Sequence, residues 1–264
     1  MTDTSTAARV RWLYSYRTLL KYLVLKEIKV KSRGTYLGIG WTLLNPLFTI
    51  VVYFVVFRHI FRIGMPDFLG FFLVGFLLWN FFARSVTAAS TCIVENDSLV
   101  KRAVFPMEIL PITKVVYHLV NYLIAFAIAL PLLVAFWGGK LTWHLLWVAV
   151  IIAAFTVFTL AIGLLISTSG VFLRDTRDIL DVMLPTLFWV TPIFYQPDMV
   201  PRALQPVLWA NPLTTFVGAA RTAVLAGRAP SAGDLGLVLV WTTVAAAFGF
   251  LVFLRHQPRF AEES

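Results

Sequence analysis

The sequence predicts an all-α membrane protein with six transmembrane helices, an N-terminal amphipathic interface helix and short re-entrant outer-leaflet helices before the last span. Three observations predict it. Hydrophobic residues make up 59% of the chain and charged residues 13%, against roughly 45–50% and 25% in soluble domains, so a water-facing surface cannot be built from this mixture. The apolar residues are gathered in long, nearly uncharged blocks, most of them near the roughly 20 residues that cross a bilayer. Those blocks also lack the alternation over about 10 residues that marks a barrel strand. A soluble enzyme, a disulfide scaffold and a disordered regulator are excluded on the same grounds.

Residues 1–36 read as a cytoplasmic tail and interface helix, and 37–264 as the membrane domain. The spans fall at about 37–61, 68–90, 112–137, 144–171, 182–197 and 235–254. In the first part, Trp12, Leu13, Tyr16, Leu19, Leu20 and Leu23 recur at helical spacing, with Lys21, Lys26 and Lys29 at other positions. That is the pattern of a helix lying in the inner interface, with Trp12, Tyr16, Lys26 and Lys29 as its candidate contacts. Anchoring alone and docking of a cytoplasmic partner both fit it. The opening residues Met1–Arg9 are polar, and no cleavable signal peptide is read there.

The first span carries Asn45 and Pro46, which predict a kink near its first turns. Arg84 sits near one end of the second, where it can snorkel. The fourth is long enough to tilt or project beyond the bilayer. The fifth is short and broken by Pro185 and Pro192, and the stretch after it is cut by Pro201, Pro206 and Pro212. Within that stretch Asn211-Pro212 is a helix start, an N-cap followed by proline at the first position, and Gly227 is a stop. These short helices dip into the outer leaflet, where backbone must be helical or buried in protein.

The net charge of +9 reads as positive charge retained on the cytoplasmic side rather than as nucleic-acid binding. Arg9 to Arg33, Lys101-Arg102, Arg174 with Arg177, and Arg255 with Arg259 all fall on one side if the first region is inside, so both termini are cytoplasmic. Arg202, Arg221 and Arg228 run against this tally without reversing it.

Missing motifs narrow the function. The lone Cys92 allows no internal disulfide. Gly139-Lys140 is followed by Leu141 and lacks the upstream glycine of a phosphate loop, so ATP is not hydrolysed by this chain. The four histidines show no ligand spacing, and no metal, cofactor or catalytic residue is assigned. Carboxylates fall only in loops or ends, which argues against an ion-coupled pump. His118 and Asn121 read as interhelical hydrogen-bond partners.

Three clusters remain as candidate sites. The loop with Glu95, Asp97, Lys101, Arg102 and Phe105 is the densest polar stretch; a short helix there has acids first and bases last, and it is either a solvated connector or a docking helix that couples the chain to a soluble motor. Arg174 and Asp175 open a mixed-charge cluster at a membrane end. Tyr53, Phe57 and Phe61, with Phe72, Phe76 and Trp79, form aromatic stripes that either pack helices and face lipid or line a path on which sugar rings stack.

Short motifs spread along nearly the whole chain then resemble the permease subunit of type-2 ATP-binding-cassette exporters of cell-surface polysaccharide, such as O-antigen, teichoic acid and capsule. They are Leu25-Lys26-Glu27-Ile28-Lys29, Leu44-Asn45-Pro46-Leu47, Phe105-Pro106 with Ile109-Leu110-Pro111, Phe172-Leu173-Arg174-Asp175, Pro192-Ile193-Phe194-Tyr195, and Asn211-Pro212 followed by Arg221. Met107 departs from the basic residue many relatives carry after Phe-Pro. The resemblance implies a homodimer with two separate nucleotide-binding subunits that hold ATP and magnesium, and a coupling helix after the second span. It also implies export of a lipid-linked polysaccharide across the bacterial inner membrane. A drug or lipid efflux permease is the alternative within the class, and a membrane-embedded glycolipid transferase the alternative outside it.

Overall fold

The computed structural model describes residues 15–32, 40–56, 67–96, 106–136 and 138–260. Among the described residues every regular element is helical. The helices are α1 (Arg17–Ser32), α2 (Trp41–Val55), α3 (Phe68–Thr91), α4 (Ile109–Phe136), α5 (Leu145–Phe172), α6 (Thr176–Val190), α7 (Gln205–Ala210), α8 (Pro212–Arg221) and α9 (Ala232–His256). Four helices, α3, α4, α5 and α9, are long and apolar enough to cross a membrane. The described part of the first expected span holds a shorter apolar helix, Leu44–Val55, and α6 has 15 residues.

Local chemistry sets these boundaries. Asn211 caps α8, its side chain accepting from the Leu213 N–H with Pro212 next in line. A π-helical turn, Thr222–Ala226, extends α8 and ends at Gly227, whose φ of 63° is left-handed. Helix α9 starts at a reciprocal capping box, in which Ser231 accepts from the Asp234 N–H and Asp234 accepts from Ser231. The fifth expected span is displaced toward the N-terminus. Helix α6 begins at Thr176, just after Leu173 turns extended, and stops at Val190. Thr191 is extended because the ring of Pro192 disfavours a helical residue before it.

The long helices pack around α3, whose Leu73, Leu78, Val86 and Ala89 are almost fully buried. Rings of Phe81, Phe82, Phe155, Phe158 and Phe216 from α3, α5 and α8 form the centre, with neighbouring centroids 4.9–6.2 Å apart. Helices α5 and α9 make the most extensive pair. Their backbones meet at Gly249, where any β-carbon would collide with the Ala161 carbonyl. Hydroxyls within the bundle mostly satisfy themselves. Thr113, Thr156, Thr168 and Thr242 each donate to the carbonyl one turn back at 2.7–2.9 Å, as low-dielectric surroundings require. Asn121 behaves alike, donating to Tyr117 O of its own helix at 2.8 Å rather than across helices.

Candidate transport and coupling site

One end of the bundle is organised by the break after α6. The non-helical stretch Thr191-Pro192-Ile193 has carbonyls that no helix satisfies, and Ile193 is fully buried. Arg221, at the end of α8 and 8% exposed, supplies donors to them. Its Nη1 donates to Pro192 O and its Nη2 to Ile193 O, both at 2.7 Å, and its Nε donates to Phe71 O of α3 at 3.0 Å. The guanidinium carbon lies 3.3 Å from the centroid of the Phe71 ring. Asn211, at the other end of α8, gives its amide to Thr191 Oγ1 at 2.8 Å. Gly75 on α3 leaves the room: a β-carbon there would sit 2.7 Å from Arg221 Nη2. Helices α3, α6 and α8 are thereby locked around one planar fork.

The aromatic stripes meet beside this lock. Tyr53 of α2 stands edge-on to Phe72 and Phe76 of α3, both at 4.7 Å between centroids. Trp79 reaches Phe188 of α6 at 5.4 Å, and Phe188, Trp189, Phe194 and Tyr195 continue the row. Phe72 is 3% exposed and packs against Ile193, so it supports the row from behind. Tyr53, Phe76 and Trp79 are half-buried and keep one side open. Phe57 and Phe61 lie outside the described residues.

At the opposite end, α1 docks on α4. Lys114 Nζ lies 2.7 Å from Glu27 Oε1 and 3.6 Å from Glu95 Oε2, with the lysine side chain only 14% exposed. Thr91 donates to the other oxygen of Glu95 at 2.6 Å. One ammonium therefore connects α1, the first residues after α3 and the start of α4. Val24 of α1 is buried, whereas Lys26 and Lys29 are exposed and Tyr16 is half-buried. Cys92, buried beside this cluster, has its thiol pKa pushed up by loss of water. After α3 the chain makes a single 3-10 turn, Val94–Asn96, that includes Glu95. Trp12, Asp97, Lys101, Arg102 and Phe105 lie outside the described residues. Arg174 and Asp175 are exposed in the bend between α5 and α6, and no ion pair joins them.

Sequence reasoning thus missed two central residues. Lys114 is hidden at the edge of an apolar block, and Arg221 enters only as a charge on the wrong side and as part of the family resemblance, with no structural role. The available signal for Arg221 was its position ten residues after Asn211, at the far end of a capped helix, together with a Pro-broken segment needing donors.

Comparison with known proteins places these features in a family. Residues 18–225 match the family model for ABC-2 type transporters. The chain is 31% identical over 255 residues to the O-antigen export system permease protein RfbA of Myxococcus xanthus, covering 96% of this chain and 98% of that protein. It is 25% identical to an RfbA of Klebsiella pneumoniae, over 92% and 94% of the two chains. It is also 24% identical to the polysialic acid transport protein KpsM of Escherichia coli, over 90% and 93%. The matched segment runs from α1 through the Arg221 lock and takes in both ends of the site; the chain belongs to the ABC-2 type transporter family.

Proposed function

We propose that this chain is the membrane subunit of an exporter that carries lipid-linked polysaccharide out across the bacterial inner membrane. The observation that carries the reading is the end-to-end match, over more than nine-tenths of both chains, to permeases named for O-antigen export. ATP and magnesium belong to two separate nucleotide-binding subunits, consistent with a sequence that has no phosphate loop.

The finer architecture is part of the proposal. Six spans form when α2 with the residues after it, and α6 with the broken stretch after it, complete the four long helices. Helices α7 and α8 are re-entrant in the outer leaflet, and both termini are cytoplasmic. Two copies pair so that their open aromatic rows face one path. Uncovered apolar side chains on α2 and α6, among them Phe48, Val52, Val182 and Trp189, support a second copy there. Tyr53, Phe76 and Trp79 supply stacking surfaces with no deep pocket, which suits a polymer that must slide. Closure of the motor subunits pushes the segment Glu95–Phe105 and the Arg174–Asp175 bend, and Lys114 passes that movement to α1 and α4.

The test is reconstitution of this chain with its nucleotide-binding subunit in vesicles loaded with lipid-linked polymer. ATP-dependent delivery of polymer to the opposite side supports the reading. Chemical turnover of the glycolipid without ATP overturns it in favour of a transferase, and delivery of small amphiphiles but no polymer overturns it in favour of an efflux permease.

A further inference from the structure

Between α2, α3 and α4 lies a cavity of about 110 Å³. A water needs only about 10–15 Å³ of such space. Its lining is polar for a junction of apolar helices: Asn45 from α2, Asn80 and Arg84 from α3, His118 and Asn121 from α4. Among the described residues no carboxylate lines it, so Arg84 gives it a net positive sign.

On Arg84, Asn80 and Asn121 part of that polar capacity is unspent. Arg84 uses Nε on Asn80 Oδ1 at 3.3 Å, and its two terminal nitrogens bond to none of the described residues. Asn80 and Asn121 each give an amide hydrogen to the carbonyl one turn back, Phe76 O at 3.2 Å and Tyr117 O at 2.8 Å. A second N–H remains on each. The ring of Phe76 forms part of the wall.

Depth narrows the ligand. Arg84 precedes the end of α3 at Thr91 by seven residues, roughly 10 Å of helix rise. Its side chain is exposed there. In the proposed orientation this is the cytoplasmic leaflet, near the boundary of headgroups and acyl chains. An arginine fork open to that region is costly against hydrocarbon and well matched to a phosphate. The neighbouring amides and the ring face suit a sugar's hydroxyls and its C–H face.

We propose that this cleft binds the phosphate and first sugar of the lipid-linked glycan as it waits in the cytoplasmic leaflet. Arg84 and His118 hold the phosphate, Asn80 and Asn121 the sugar hydroxyls, and Phe76 the ring face. The inference rests on the export reading, which supplies such a lipid.

The experiment uses the complex of this chain with its nucleotide-binding subunit in phosphatidylcholine nanodiscs. The probe is a short polyprenyl diphosphate bearing one hexosamine. Arg84→Gln weakens its binding by about tenfold or more and Arg84→Lys by less, because one or more charged hydrogen bonds are lost. The same polyprenol without phosphate binds at least about tenfold more weakly for the same reason. Binding by R84Q within a factor of two of the parent overturns the proposal. So does equal competition by phosphatidylglycerol, which would make the cleft a site for bilayer lipid, or by inorganic pyrophosphate, which would make it a free-anion site. If R84Q does not assemble, Asn121→Leu and R84K carry the comparison, and unchanged affinity in both overturns it. Polymer delivery is read on the same variants reconstituted with the nucleotide-binding subunit in vesicles. Delivery with binding independent of Arg84 refutes the cleft alone, and Arg84-dependent binding without delivery refutes the export reading alone.

Discussion

Replacing Arg221 by leucine tests whether the break after α6 is held by one guanidinium. The structure gives the magnitude. Three carbonyls accept from this side chain. Phe71 O lies in the first turn of α3 and keeps its helical partner, so its loss is small. Pro192 O and Ile193 O lie in the non-helical stretch and lose their donors while still buried. A buried polar group left without a partner costs about 1–3 kcal/mol, so two cost roughly 2–6 kcal/mol. For a chain of this size about 2–4 °C of melting temperature goes with each kcal/mol, which puts the drop at roughly 4–24 °C. The assay is heating of the detergent-solubilised complex followed by size-exclusion detection of intact protein. Gly75→Ala is the companion variant, because its new methyl group takes the space of Nη2. The two changes act on one contact, so the double variant loses less than the sum. A melting temperature for R221L within about 2 °C of the parent, on the scale just given, would refute the reasoning.

The remaining expectations concern movement and cargo. Lys114→Glu lowers polymer export with insertion intact, and adding Glu27→Lys restores much of it, read as surface polymer per unit of membrane protein; a swap that restores nothing rejects a direct ion pair. Changing Tyr53, Phe76 and Trp79 to leucine keeps insertion and ATP hydrolysis of the complex but lowers export several-fold; unchanged export places the path elsewhere. Reversing the charges of Glu95, Asp97, Lys101 and Arg102 together leaves ATP hydrolysis running while export stops, measured on the same vesicles. The chain purified without its partner hydrolyses no ATP above background, and measurable turnover in that sample contradicts the division of labour.

Helix starts and stops with a local chemical cause were legible in the sequence. Asn211-Pro212 starts α8 and Gly227 ends its extension because capping and left-handed backbone are decided within a few residues. The Ser231–Asp234 capping box is equally local, and it starts the last helix at Ala232, ahead of the apolar block that begins at 235. Helix α6 starts several residues before the expected fifth span because hydropathy registers only the apolar part. Thr176, Arg177, Asp178 and Asp181 are helical but polar, and bilayer length criteria do not see them.

The sites divide along the same line. Aromatic periodicity put Tyr53 on one helix face and Phe72 with Phe76 on another, and these faces do meet, because residues four apart on a helix share a side. Periodicity cannot tell which ring on that side turns inward. Phe72 is buried because Ile193, far along the chain, closes over it. Asn121 shows the converse: an amide in an apolar helix invites a partner on another helix, yet the nearest acceptor is its own backbone. Arg221 and Lys114 are harder to read for a third reason. Their roles depend on acceptors about 30 and 90 residues distant, and charge counting treats every arginine near an outer loop as water-exposed. A basic residue that opposes the positive-inside tally is therefore a reason to look for unsatisfied carbonyls nearby, and in this chain the proline-broken segment after α6 provides them.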